Sequence, residues 1–302
     1  MKGRVILSVI FAVLLISACR NTPKKSEEFV LADADSLSAS FSTGAVADEE
    51  ILRNFSSPIE TANLFQVMGV PFTQEYLAFS LDANELTSSF DKALSLGILG
   101  ADLGYLNVYG KTGTSMDLLS SIKKLAEGLR VGQFFNFETI TRLSLHGSNF
   151  DSLLYLSIDS YNNIDKYLRE DNRSQLSSLM IIGAWIEAQY FATQVMKQHP
   201  DDLLRDRIGE QKYFLNSLIR LAAPYCSMND QFRTLCNYLR DIAAKYDRVE
   251  ITYTPGNPVS SEKDGGLVIT QTETSKVQMT DEQLAEIIEI TGNVRNKLIV
   301  NN

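Results

Sequence analysis

The sequence predicts an all-α fold: an antiparallel bundle of about seven to nine helices, followed by a small β-hairpin and a terminal helix. Three observations carry this. From Ser57 to about Asp247 apolar residues recur at helical spacing almost without a break. The stretches between these runs are short and polar, which favours antiparallel neighbours. Strict two-residue alternation appears only after residue 248. The 302 residues include 28 Lys and Arg against 37 Asp and Glu, a formal charge of −9, and 44% are apolar. That apolar fraction excludes disorder across the chain. The acidic balance argues against nucleic acid, whose phosphates demand clustered cations.

The helices follow in order. Ser57 before Pro58 fits a cap and a first helical residue, and Gly69 with Pro71 fits the end. Leu86, Phe90, Ala93, Leu94, Gly97, Ile98, Ala101, Tyr105 and Val108 mark a long second helix, closed by Gly110 and Gly113. Thr114 or Ser115 caps the next, with Leu118, Leu119, Ile122, Leu125, Ala126 and Leu129 on one face. Asn136 opens a short helix that stops at Gly147. Asn149 caps another with Leu154, Ile158, Tyr161, Ile164 and Leu168 inward. Ser174 to Gln198 is apolar nearly all round, the mark of a helix buried mid-body. Pro200-Asp201-Asp202 starts a helix through Leu221, and another runs from about Asn229 to Tyr246.

Beyond residue 248, Val249, Ile251 and Tyr253 alternate with Glu250, Thr252 and Thr254, a half-buried strand. Leu267 to Thr272 is the expected partner strand. Thr280 and Gln283 form a capping box for a last helix bearing Leu284, Ile287, Ile288, Val294 and Leu298. A lone hairpin is marginal in water, so residues 249–302 are expected to pack on a bundle of residues 51–248.

The first 19 residues bear on location. Lys2 and Arg4 precede an apolar run, Val5 to Ile16, interrupted only by Ser8. The run is shorter than the roughly 20 residues that span a bilayer and reads as a secretory signal over residues 1–18. Ile16-Ser17-Ala18-Cys19 then matches the bacterial lipobox, in which Cys19 receives acyl chains such as palmitate. Several chains give stable attachment. Residues 19–50, rich in Ser, Lys, Asp, Glu and Ala, read as a flexible tether. Arg20 rather than Asp follows the cysteine, and the resemblance to known lipoprotein sorting then implies the outer membrane, on its periplasmic or surface face.

Two other cysteines remain, Cys226 and Cys236. In one unbroken helix they would lie about 15 Å apart, beyond bridging distance. Pro224 and Ser227-Met228-Asn229-Asp230 suggest a turn that would bring them together, so a structural disulfide and free thiols both stay open.

Ser57-Pro58-Ile59-Glu60-Thr61-Ala62, the stretch from Lys92-Ala93-Leu94 to Tyr105, and Gly183-Ala184-Trp185-Ile186-Glu187 resemble a family of uncharacterised all-helical bacterial lipoproteins. The resemblance covers roughly residues 57–247. It implies a helical fold and a lipid anchor, and assigns no catalytic residue.

The chemistry-bearing strings are few. Gly110-Lys111-Thr112 lacks the small residues and preceding strand of a phosphate loop, so no nucleotide is expected. Lys111-Thr112-Gly113 with Ser89-x-x-Lys92 imitates penicillin-binding motifs, but both lie on consecutive helical turns and a loop. His146 and His199 stand at expected helix ends, where cations are favoured. No spacing suggests a metal or cofactor.

Two acids stand out. Asp102 is the sole charged residue between Lys92 and Lys111, and Glu187 the sole one between Arg173 and Lys197. A carboxylate in an apolar helix must be paired, hydrogen-bonded or neutralised. One reading is a helix-to-helix bond to Tyr, Asn, Ser or Arg. The other is a ligand cavity lined by Asp102, Tyr105, Trp185, Glu187 and Tyr190, with carboxyl pKa values raised by burial. The expected function is a lipid-anchored, non-catalytic binding or scaffold module for another envelope protein. A small-ligand-binding protein is the alternative.

Overall fold

The computed structural model describes residues 57–146, 150–254, 258–263, 266–271 and 274–300. The expected signal segment, Cys19 and the tether lie outside these residues, as do Gly147 and Asn149. Nine α-helices occur among the described residues: α1 (Pro58–Val67), α2 (Ser89–Val108), α3 (Thr112–Gly128), α4 (Phe137–His146), α5 (Phe150–Glu170), α6 (Ser174–Gln198), α7 (Asp202–Ala222), α8 (Asp230–Tyr246) and α9 (Asp281–Val300).

Local chemistry sets most starts. Ser57 and Glu60 close a reciprocal capping box on α1, the Ser57 N–H donating to Glu60 Oε2 at 2.7 Å and the Glu60 N–H to Ser57 Oγ at 3.3 Å. Thr280 and Gln283 do the same for α9, at 2.7 and 3.2 Å. Asn136, Asp201 and Asn229 each accept a first-turn backbone N–H, satisfying donors that a helix start leaves orphaned. Two boundaries differ from expectation. Ser88 caps α2, which leaves Leu86 before the helix. α3 starts at Thr112, earlier than the expected cap at Thr114 or Ser115. Gly110, at φ +64°, supplies the left-handed turn between α2 and α3 that a β-carbon would disfavour.

The core is built on α2 and α6. These two helices cross so closely that a β-carbon on Gly97 would collide with the Met180 carbonyl, and one on Gly183 with the Leu94 carbonyl. Almost every α6 residue from Leu176 to Met196 is buried, as all-round apolarity predicted. α1 lies against both helices, α3 against α2, and α5 and α7 against α6. α9 packs between α6 and α8, with Ile287 and Val294 buried. It is thus a full member of the bundle. On α5 the inward stripe is Leu153, Ser160, Ile164 and Leu168. Ile164 and Leu168 are inward as expected and Tyr161 packs against the core, whereas Leu154 and Ile158 are only half-buried, Leu153 and Ser160 being buried in the first part of the helix.

The strands form two separate two-stranded sheets. β1 (Glu250–Thr254) pairs with β4 (Thr274–Gln278), and β2 (Pro258–Lys263) with β3 (Gly266–Gln271), both antiparallel. The expected partner of β1 was Leu267 to Thr272; Leu267–Gln271 instead pair with β2, and Thr272 lies outside the described residues. Ile251 and Val277 are directly opposed in register and pack against the core. Val277 also occupies the space above Gly209 of α7.

Cys226 and Cys236 form a disulfide, their Cα atoms 5.8 Å apart. The 3-10 turn Ala223–Tyr225 and the loop to Asn229 fold the chain back onto α8, so the bond crosses the α7–α8 corner.

Candidate functional site

The two isolated acids meet in the core. Asp102 on α2 and Glu187 on α6 are 1% and 0% exposed, near enough for the Glu187 charge to act on the Asp102 carboxyl. Both are joined there by a residue the sequence reading passed over, Arg295 of α9, itself 3% exposed. Its Nε donates to Glu187 Oε2 at 2.9 Å and its Nη2 to Glu187 Oε1 at 2.5 Å, a bidentate fork. Nη2 also donates to the Tyr76 carbonyl at 2.9 Å. The Arg295 guanidinium lies 4.3 Å from the centre of the Tyr190 ring. Burial alone would lower the Arg295 pKa, but the facing Glu187 carboxylate outweighs it and holds the group above its ordinary value.

Asp102 completes the balance. Its Oδ2 accepts the Ala78 N–H at 3.0 Å, whereas Oδ1 has no donor among the described residues. Burial first, and the Glu187 charge second, hold the Asp102 carboxyl well above the usual carboxylate range. Burial thus favours the neutral form of Asp102, which would leave one carboxylate facing one guanidinium in a water-free core.

The five residues expected to share a site divide into three groups. Asp102, Glu187 and Tyr190 do come together, around Arg295. Tyr105 serves a neighbouring aromatic clamp. Its hydroxyl accepts the Thr73 N–H at 2.9 Å, and its ring stacks on Phe72 at 5.3 Å. Burial raises its pKa to about 12. Tyr109 donates to the Val70 carbonyl at 2.8 Å, so the two tyrosines pin the segment after α1 onto α2. Trp185 stands two residues from Glu187 and hence on the opposite side of α6. Its Nε1 donates to Gln211 Oε1 of α7 at 2.9 Å.

A cavity of about 210 Å³ opens beside Trp185, between α1, α6 and α7. Of the five expected residues only Trp185 lines it; Asp102 and Glu187 do not. Its polar lining is Glu60, Thr61, Gln189, Arg207 and Gln211, with Leu64 and Leu204 among the apolar residues. Burial raises the Glu60 pKa, partly offset by its bond from Ser57 and by the Arg207 charge.

The imitation motifs resolve into helix ends. Lys111 sits in the α2–α3 turn, with Thr112 and Gly113 opening α3 and no strand beside them. Its ammonium lies 4.7 Å above the Phe72 ring. α4 ends at His146, and His199 follows the last residue of α6.

Arg295 carried one signal in the sequence. It recurs with Ile287 and Thr291 at four-residue intervals, and so lies on the apolar face of α9. A cation on such a face, in a chain with two unmatched acids on other helices, marks their counter-ion.

No protein-family model, curated protein or solved structure matches the chain.

Proposed function

We propose that the protein is a lipid-anchored module of the bacterial cell envelope, held at the outer membrane through Cys19, that binds another envelope protein without catalysing a reaction. The observation that carries this is the order of the first 19 residues: Lys2 and Arg4, the apolar run, then Ile16-Ser17-Ala18-Cys19. The resemblance of residues 57–247 to helical lipoproteins points the same way. The Cys226–Cys236 disulfide agrees with an oxidising compartment. No helix of the described residues is long and apolar enough to cross a membrane, so attachment through Cys19 needs the acyl chains. A non-catalytic role is supported by what the buried acids do: both oxygens of Glu187 are spent on Arg295, and Asp102 Oδ2 on the Ala78 N–H.

Mass spectrometry of the protein isolated from cells tests the anchor, with cross-linking in intact cells testing the partner. The expected result is a mature chain starting at an acylated Cys19, recovered in a defined complex with a second envelope protein. An unmodified Cys19, or a chain recovered only as monomer, would contradict the reading.

A second reading is favoured by the cavity beside Trp185: the module holds a small ligand between α1, α6 and α7. The expected lining shifts accordingly, from the Asp102–Glu187 cluster to the opposite face of α6.

A further inference from the structure

The cavity presents two opposite charges that do not neutralise each other. Glu60, on the first turn of α1, spends Oε2 on the Ser57 N–H. Among the described residues nothing donates to its other oxygen. Arg207, on α7, spends Nη1 on Glu210 at 3.1 Å and keeps its remaining guanidinium N–H groups. Both side chains line the same space, and the guanidinium is near enough to bias the titration of the carboxyl.

Between these poles the lining is mixed. Gln211 is locked in place by the indole N–H of Trp185. Gln189 commits its amide nitrogen to the Tyr246 hydroxyl at 2.6 Å, which leaves the amide oxygen as an acceptor. Thr61 adds a hydroxyl, and Leu64, Ala192 and Leu204 add an apolar wall. At about 210 Å³ the space is below the roughly 300–1,000 Å³ of sites for drug-sized ligands.

We propose that this cavity binds a small zwitterion of the free amino-acid class, with its ammonium on Glu60, its carboxylate on the Arg207 guanidinium and its side chain against the Leu64–Leu204 wall. A ligand carrying one charge would leave one pole unmatched, and a large ligand would not enter. A guanidinium can grip a carboxylate through two parallel hydrogen bonds, and a nearby cation favours the charged form of a carboxylate. This inference rests on the second reading above and is independent of the anchor.

The protein carries its own reporter, because Trp185 is the single tryptophan of the chain and lines the cavity. The test titrates L-alanine and L-leucine into the full chain, following Trp185 emission and calorimetric heat together. Propionate, propylamine and the neutral N-acetyl-L-alanine amide serve as single-charge and uncharged controls. The expected result is saturable binding of the two amino acids with Kd at or below about 1 mM and no saturation by the controls. Glu60→Gln and Arg207→Met should each weaken binding by at least about 10-fold, the scale of one lost charged hydrogen bond. Gln at the third helical position still completes a capping box, so unchanged melting of Glu60→Gln separates a lost ligand contact from a lost fold. Equal binding of a single-charge or neutral control would overturn the zwitterion and leave the small-ligand reading standing. Silence from every probe would overturn both.

Discussion

At Asp102 three demands meet: an apolar helix, a neighbouring carboxylate and a single backbone donor. Oδ2 takes the Ala78 N–H, Oδ1 has no donor among the described residues, and Glu187 is forked by Arg295. A proton held on Asp102 removes one of two like charges. The consequence for stability has a definite sign. The folded-state pKa of Asp102 lies above its unfolded value, so the native state binds the extra proton and its stabilising effect is complete below the ordinary carboxylate range. That contribution is lost as pH rises toward the raised native value. Asp102→Asn keeps an acceptor for Ala78 and offers Glu187 an amide donor without any ionisable proton. Its stability relative to the wild type should therefore increase with pH above the ordinary carboxylate range, as measured by denaturant unfolding across a pH series. Parallel curves would show that Asp102 is not the group that carries the proton.

The need for partners on Asp102 and Glu187 was legible from their isolation among apolar residues. Which partner was not legible. Arg295 is 108 residues from Glu187 in the chain, and a local pattern states that a face is buried without stating which helix it meets. Trp185 and Glu187 seemed to belong together because they are near in sequence, yet a two-residue step turns a helix by roughly 200°.

Elements meet most tightly where α2 crosses α6. Gly97 and Gly183 let the backbones touch, each in the space a β-carbon would need. Gly183→Ala cannot relieve its clash by turning a rotamer, because the obstacle is the Leu94 carbonyl. Spreading two helices that carry most of the core costs more than the 1–3 kcal/mol of an ordinary overpacked site. We expect Gly183→Ala to lose about 3 kcal/mol or more, seen as a drop of roughly 10 °C in Tm for a domain of this size. Gly100→Ala serves as the control, since nothing lies within 4 Å of a β-carbon there. Helix starts were readable because a cap is made within four residues, as at Ser57, Asn136, Asp201, Asn229 and Thr280. Pairing of strands was harder. Alternation tells which side chains share a face, whereas the partner of β1 is chosen by Ile251 opposing Val277 and by Val277 filling the space over Gly209. The start of the α5 stripe differed for a related reason: Leu153 and Leu154 are adjacent apolar residues, and only the neighbouring helices decide which turns inward.

Over the whole molecule, α9 is the element that closes the bundle. It follows the hairpin in the chain, yet through Arg295 it ties its own helix to α6 and to the Tyr76 backbone. Removing one member of such a buried pair typically costs about 3–5 kcal/mol, because a bare charge is left behind. The chain carries a formal charge of −9, and its proposed place beside a membrane depends on chemistry at one residue, Cys19. The most direct test compares the wild type with Cys19→Ser after detergent phase partition of whole-cell extracts. The wild type is expected in the detergent phase and the variant in the aqueous phase, with identical melting curves. A variant that still follows the detergent, or a wild type that never enters it, would contradict attachment through Cys19.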